Sequence, residues 1–536
     1  MGGSLRETNL ERLRHERFDV LVIGGGITGA GIARDAALRG LRVALVEQSD
    51  FGAGTSSRSS KLVHGGFRYL ASLQFRIVYR SLHERGILLR IAPHRVQPMP
   101  FLLPFYSRGS YPPRLLKMGL SLYDFLAGRS NIKPHTILPL RAVLGFAPWI
   151  PREGLIGGAW YYDAITDDAR LVLENIKSAW KAGAVCVNYA QVTALQERNG
   201  KICGATVHDR LHNETFEVRA SLVVNATGPW SDRVRSLDPT DKRPVLRLTK
   251  GIHLAFPHER LPLTYGLNFI SPRDRRPLFA IPWGKYTYVG TTDTDYEGDL
   301  EEPEIERSDV EYLLEALDYG LPTAKLGWKD IAGAWAGIRP LVDAHRDVPP
   351  WRVSREDRIE ISGAGLITII GGKLTTYRAM AERVVDLVQT RLPPPSPRIP
   401  SRTASVPLEP KVDRSRELGP DIPEAVQDRL TTVYGPHLWG VLEQARTPED
   451  LEPLHPDLPL CRAEVKLWVH SEMAMTLPDA LERRASLLIF DPLTYAHEAR
   501  VVATWMGEEL GWDSARVEAE VKTYQDLIRR RWSFKE

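Results

Sequence analysis

Gly24, Gly26 and Gly29 stand in a G-x-G-x-x-G spacing where the apolar run FDVLVIGGG gives way to the small residues of ITGAGIARDAALRG. Such a junction needs glycines, because a side chain there would keep a pyrophosphate away from the backbone amides at a helix start. Glu47 follows at the end of the next apolar run, LRVALVEQ, where a carboxylate can accept hydrogen bonds from ribose hydroxyls. The chemistry implied is the grip of an adenine dinucleotide, and FAD and NAD both satisfy this much.

Three later loops extend that site. Residues 52–70, GAGTSSRSSKLVHGGFRYL, offer hydroxyls and free amides, with Thr55, Ser56, Ser59 and Lys61 as candidate cofactor contacts. The small-residue turn NATGPW adds Thr227 and Gly228, where a backbone can approach a nucleotide closely. GGKLTTYR, feeding a helix, adds Gly372, Lys373, Leu374 and Thr375. Separate loops converging on one ligand suit the length of FAD better than that of a mononucleotide.

The elements that must hold these loops are legible in the hydrophobic pattern. Strand, helix and strand within about 30 residues predict a parallel pair joined by a right-handed crossover, the helix ending at Gly40. ARLVLENIKSAWKAG predicts an amphipathic helix, and AVCVNYAQVTALQER, GATVHD and FEVRASLVVNATG predict strands. From about 243 to 361, HLAFP, FAIPW and YTYVGTT alternate with Pro, Gly and Asp and predict a mainly antiparallel sheet. LPPPSPRIPSR, residues 392–402, has the composition of a semi-rigid linker, and helical periodicity dominates beyond it.

At 536 residues and 43% hydrophobic content, the chain exceeds one ordinary core, which predicts two or three domains. Its 70 basic and 67 acidic residues leave a net charge of +3, arguing against a nucleic-acid binder. Cys186, Cys203 and Cys461 form no ligand spacing, so no disulfide framework, zinc site or iron–sulfur cluster is expected. The charged N-terminus lacks a signal-peptide core, and no run is long enough to span a bilayer. A cytoplasmic protein attached peripherally to the cytoplasmic membrane is expected. Residues 293–304 put Asp293, Asp295, Glu297, Gly298 and Glu304 at calcium-loop positions, but the strand-like YTYVGTT upstream and Pro303 favour an acidic surface loop and no metal.

Together GGGITGAG, TSSRSSKLVHGGFRYL, DDARLVL, NATGPW, GTTD, GIRP and GGKLTTYR resemble the FAD-dependent, quinone-linked glycerol-3-phosphate dehydrogenases over most of residues 18–390. AEVKLWVHSEMAMTLPDALERR is similar to that family's helical domain. The resemblance implies an α/β Rossmann-like FAD-binding domain, an antiparallel β substrate domain of amino-acid or glycine oxidase type, and a C-terminal α-helical domain. The expected division is 1–395 for the oxidoreductase part and 396–536 for linker and helices. Nucleotide segments fall at about 15–75, 160–232 and 352–392, and substrate segments at about 76–159 and 233–351. It further implies oxidation of sn-glycerol 3-phosphate to dihydroxyacetone phosphate, electrons passing to a membrane quinone, and it allows a homodimer. Arg68, Tyr69, His253, Arg339, Arg355 and Lys373 carry over as active-site candidates, and Val192 as a further cofactor contact.

Hydride loss from a secondary alcohol requires a base beside the hydroxyl. His253, expected to titrate near neutrality, is placed ahead of Lys373, which would need its pKa lowered. A phosphate dianion calls for planar guanidinium donors, hence Arg68, Arg339 and Arg355 as the clamp, with Arg339 alternatively orienting the hydroxyl. Taken singly, Arg339 before Pro340 also reads as a surface turn, and His253 as an ordinary strand histidine. PPRLLKMGLSLYDFLAG, residues 112–128, could lie in a lipid interface or pack inside, and IRRRW is a second candidate headgroup contact. The rival readings are a cytosolic oxidase using dioxygen and, from another class, a redox-silent FAD-bound interaction protein.

Overall fold

The computed structural model describes residues 5–109, 111–241, 243–342, 356–393, 398–409, 418–419, 421–485 and 489–535. The first strand, Arg17–Ile23, pairs in parallel with Val43–Val46 on one side and Glu214–Asn225 on the other. Ile23 is opposite both Val46 and Asn225, so three strands end at one edge, where the glycine turn begins. The sheet continues outward to Val185–Val187 and, across Ile367–Gly371, to Asp357–Ile361. Both faces are covered, as a parallel sheet demands. Val20 and Val22 join a core with helices Ile27–Leu38, Asp168–Lys181 and Tyr377–Arg391. Leu21 and Ile23 point the other way, into a core with helix Leu5–His15 and the strands around Val207 and Val218. The period-two alternation of a strand thus feeds two cores from one hydrophobic run.

Two glycines set the entry to this unit. Gly24 has φ +106°, in the left-handed half of backbone space, and turns the chain from strand to helix. A β-carbon on Gly29 would lie 1.9 Å from the Gly24 carbonyl oxygen, so only glycine lets helix and strand pack this closely. Gly40, at φ +80°, closes the helix as expected.

Among the described residues the second sheet has ten strands. Leu246–Pro257 lies antiparallel between Tyr286–Gly290 and Gly333–Val342, and Val96–Tyr106 pairs antiparallel with Leu155–Thr166. The antiparallel expectation holds except where Gly266 and Leu267 run parallel to Phe101 and Leu102. Thr249 faces Arg339 and His253 faces Trp335 across one strand pair, which brings the two site strands into register.

The helical C-terminal part departs from the picture of a domain hung on a linker. Trp468, Leu477, Val502, Met506 and Tyr524 share one core with Leu254, Phe256 and Leu267 of the second sheet. Part of the proline-rich stretch, 394–397, lies outside the described residues, but its continuation is docked. Ser401 Oγ donates to Asp35 at 2.6 Å, and the Ile399 carbonyl accepts from Arg39 at 3.2 Å.

Candidate active site

At the nucleotide end, Glu47 Oε2 accepts from the Gly25 amide at 2.6 Å and Oε1 from the Ser49 amide at 2.9 Å, which fixes the carboxylate beside the turn. Burial raises its pKa above the usual carboxylate range, and the backbone donors oppose that rise. Ser56 Oγ accepts from the Ile27 amide at 3.0 Å, stitching the Ser-rich loop to the helix start, and Thr55 Oγ1 donates to the Ile338 carbonyl at 2.6 Å. Gly24, Gly26, Glu47, Thr55, Ser56, Ser59, Val192, Thr227, Gly228, Gly372, Lys373, Leu374 and Thr375 all line one cavity of about 2780 Å³. That exceeds the roughly 300–1,000 Å³ of an ordinary small-ligand pocket by about threefold. Two expected contacts are placed otherwise. Lys61 turns its ammonium to Asp168, is almost wholly buried and does not face the cavity, because a charge there is stable only when paired. Gly29 works through packing alone.

At the other end stand the cations. Lys373 Nζ donates to Ser81 Oγ at 3.1 Å and to the His64 carbonyl at 3.4 Å, and lies 5.0 Å from the Tyr69 ring centre. The guanidinium of Arg68 also sits 5.0 Å from that ring and donates to the Tyr69 hydroxyl at 3.2 Å. Burial works against the Arg68 charge, but Tyr69 and Asp293 outweigh it and the net shift is upward. Arg339 reaches the Thr292 carbonyl and Asp293 Oδ1, each at 3.2 Å, and Thr291 Oγ1 at 2.8 Å. Arg355 lies outside the described residues.

Arg276, which no sequence pattern singled out, joins this group. It is 4% exposed and lines the cavity, donating one bond to the Thr291 carbonyl. Its Nε has no hydrogen-bond partner among the described residues, and burial pushes its pKa down. A buried guanidinium with spare donors and a lowered pKa is a group for which an anion would supply the missing stabilisation. The acidic run after Gly290 is committed to the same region: Asp293 to Arg339, and Asp295 to Arg247 at 2.6 Å.

Two histidines face the cavity. His253 Nε2 is 2.8 Å from Ser60 Oγ, its ring stacks on Trp335 at 4.9 Å, and its Nδ1 has no hydrogen-bond partner among the described residues. Burial, then the cations of Arg339, Lys61 and Arg276, hold it well below the usual histidine range. The expectation that it titrates near neutrality is therefore corrected: burial and the neighbouring cations favour the neutral imidazole. His64, missed by sequence reasoning although it sits inside KLVHGGFRYL, is lowered in the same way by burial, Lys373, Arg68 and Arg85. Behind it, the Gly65 amide donates to Asp163 at 2.9 Å, and Asp163 also accepts from Arg85 at 2.6 Å and Tyr123 at 2.8 Å. Backbone, carboxylate and tyrosine together fix the His64–Gly66 turn.

Stability should record this neutral imidazole. The unfolded chain takes up the proton near pH 6.5 and the folded chain does not, so the contribution of His253 is complete above that value and is lost as pH falls below it. The expected slope is at most about 1.4 kcal/mol per pH unit. Thermal melts between about pH 7.5 and 5 are expected to flatten in His253→Gln. An unchanged slope would mean that the imidazole is charged in the fold.

Tyr123 belongs to helix Pro113–Ala127, the segment read as lipid-facing or internal, and the structure gives it both characters. Leu120, Tyr123 and Ala127 are buried, while Leu115 at 50%, Met118 at 68% and Phe125 at 80% exposure point outward. Leu115 and Met118, with Leu73 and Phe75, also line the mouth of the cavity. IRRRW does not offer the expected headgroup contact as a unit. Arg531 is ion-paired with Glu302 and Glu482, and Trp532 is packed in the core. No described helix is long and apolar enough to cross a membrane.

Comparisons with known proteins agree with this geometry. A family model described as FAD dependent oxidoreductase matches residues 19–378, and one described as the C-terminal domain of alpha-glycerophosphate oxidase matches 362–517. The aerobic glycerol-3-phosphate dehydrogenase of Bacillus subtilis (strain 168) is 38% identical, with 98% of this chain and 97% of the relative covered. That of Staphylococcus aureus (strain USA300) is 37% identical over 98% and 96%. Among solved structures, the glycerol-3-phosphate dehydrogenase from Bacillus halodurans complexed with FAD superposes with a TM-score of 0.79 at 33% identity, covering 98% of each chain. Glycine oxidase from Geobacillus kaustophilus, at 18% identity, TM-score 0.54 and 74% and 100% coverage, shares the fold. The cavity, with Glu47 and the glycine turn at one end and the Gly372–Thr375 turn in the same lining, fits FAD.

Proposed function

This chain belongs to the family of FAD-dependent glycerol-3-phosphate dehydrogenases, and we propose that it oxidises sn-glycerol 3-phosphate to dihydroxyacetone phosphate and passes the electrons to a membrane quinone. The observation that carries this reading is the convergence of Arg68, Arg276, Arg339 and Lys373 on the cavity that also holds the dinucleotide turn.

FAD, when bound, supplies the acceptor for a hydride from the carbinol carbon. The protein's part is to hold the substrate and move a proton. Arg276 and Arg339, both in the cavity lining, clamp the phosphate. Arg68, placed over the Tyr69 ring, adds a further cation to this anion-binding pocket. His253 takes the hydroxyl proton at Nε2, where Ser60 Oγ, 2.8 Å away, serves as its relay. Arg339 and Arg276, which after burial weaken this imidazole as a base, line the same cavity and also favour the developing alkoxide. Lys373 contributes an ammonium to that alkoxide from the glycine turn. Domain assignment follows the same logic, with residues 1–395 carrying the chemistry.

Quinone as acceptor is supported by the apolar mouth, where Leu73, Phe75, Leu115 and Met118 join the cavity to an exposed hydrophobic face. An exposed patch of this kind suits docking on a lipid interface.

The reading is tested by adding glycerol 3-phosphate anaerobically to the purified yellow protein. Rapid bleaching is expected, with glycerol and lactate inert. No bleaching would favour the redox-silent reading. Reoxidation is expected to be faster with a soluble quinone than with dioxygen, and the reverse order would replace quinone by dioxygen as acceptor.

A further inference from the structure

Beside the nucleotide end of the cavity lies a buried charge cluster that the reaction does not use. Asp50, just past Glu47 and wholly buried, accepts from Arg483 Nε at 2.6 Å and from Arg484 Nη2 at 2.9 Å, with a further bond from Arg484 Nη1. Asn188 Nδ2 bridges Asp50 at 3.2 Å to the Met473 carbonyl at 2.7 Å. Arg483 continues to Asp479 Oδ1 at 2.5 Å, and the same oxygen accepts from the Tyr189 hydroxyl at 2.8 Å. Asp50, Asn188 and Tyr189 belong to the nucleotide sheet and its turns, whereas Met473, Asp479, Arg483 and Arg484 belong to the C-terminal part.

Burying so many charges is poor evidence for stability, since apolar packing in the same volume would do as well or better. What the arrangement does give is a fixed relative position. Tyr189 shows the point locally: its φ of +55° is rare for a bulky residue and is held where the hydroxyl meets Asp479. That strained residue lines the cavity along with Gln191 and Val192. The C-terminal part contributes Thr476, Pro478, Glu482 and Arg483 to the same lining, with Thr523 and Leu527 from helix Ser514–Arg531. A second tie joins the parts, because Glu302 binds both Arg58 of the Ser-rich loop and Arg531.

We infer that the C-terminal helical part completes the adenosine end of the FAD site, with Asp50, Tyr189, Asp479 and Arg483 acting as positioning residues for that end. Glu47 marks the ribose, so the walls beside it receive the adenine, and one of those walls comes from residues 476–483. The inference rests on FAD as the ligand and not on the substrate or acceptor proposed above, and its readouts are of binding rather than turnover. Linkage makes the effect reciprocal: a docked helical part tightens FAD, and FAD tightens the docking.

Hydrogen exchange on the wild-type protein, stripped of FAD and then reloaded, tests this without any substitution. Protection of residues 473–485 and 520–531 is expected to rise with FAD together with that of 22–30. Protection confined to 18–60, 225–231 and 371–376 would overturn it. In a second measurement, Arg483→Met is expected to weaken FAD about 5- to 150-fold, the range of ordinary coupling between sites. ADP should be weakened by a similar factor, with Arg483→Lys recovering only part of both. If ADP affinity were untouched, the effect would not be at the adenosine end and the assignment would fail.

Discussion

Arg339→Ala is expected to lower kcat/KM for glycerol 3-phosphate about a thousandfold while FAD stays bound, because truncating one partner of a buried charge-assisted pair costs about 4 kcal/mol. The guanidinium stands on strand Gly333–Val342, held by Thr291, Thr292 and Asp293, and it has no part in the turn around Gly24 and Glu47. Its loss therefore separates substrate binding from cofactor binding. It also leaves the Asp293 carboxylate without that cation beside an incoming dianion, which adds repulsion to lost attraction. Arg339→Lys should recover only part, since an ammonium offers a point charge where the phosphate meets a planar fork. Steady-state rates at limiting substrate, with flavin absorbance per protein as the control, decide the matter. Wild-type kcat/KM in the alanine variant would remove Arg339 from the site.

Lys373→Met should act on the chemical step instead. Flavin reduction in anaerobic stopped flow is expected to slow about 10²- to 10³-fold, the usual cost of removing one donor aimed at a developing oxyanion. FAD should remain, because Gly372, Leu374 and Thr375 meet the cavity without the ammonium. Thr375 also keeps the turn fastened, its Oγ1 accepting from the His64 amide at 3.0 Å and donating to the His64 carbonyl at 3.2 Å. Wild-type reduction kinetics would rule the role out.

What could be read from the sequence was what is encoded locally. The glycine spacing, the acid after the second strand and the amphipathic helix Asp168–Lys181 are each set by neighbours a few residues away. The two lowered imidazoles were not legible, since the depression of His64 comes first from burial in the tertiary fold and then from cations that include the distant Lys373. Lys61 misled for the same reason: its partner Asp168 lies at another helix start, and nothing in SSRSSKL announces it. Arg276 hid in a stretch, SPRDRRP, that reads as a surface turn and is buried only by tertiary packing. The helical periodicity after the prolines gave the right elements. It could not say that their apolar faces join the core of the antiparallel sheet.

That meeting constrains how such a protein can change through descent. Trp468, Met506 and Tyr524 belong to the same buried core as Leu254 and Phe256, so neither region buries its apolar side chains alone. Exchange of the terminal helices between distant relatives would juxtapose surfaces shaped for other counterparts. Lineages that carry both regions should therefore accumulate compensating substitutions across the seam rather than exchange the terminal helices as a separate module.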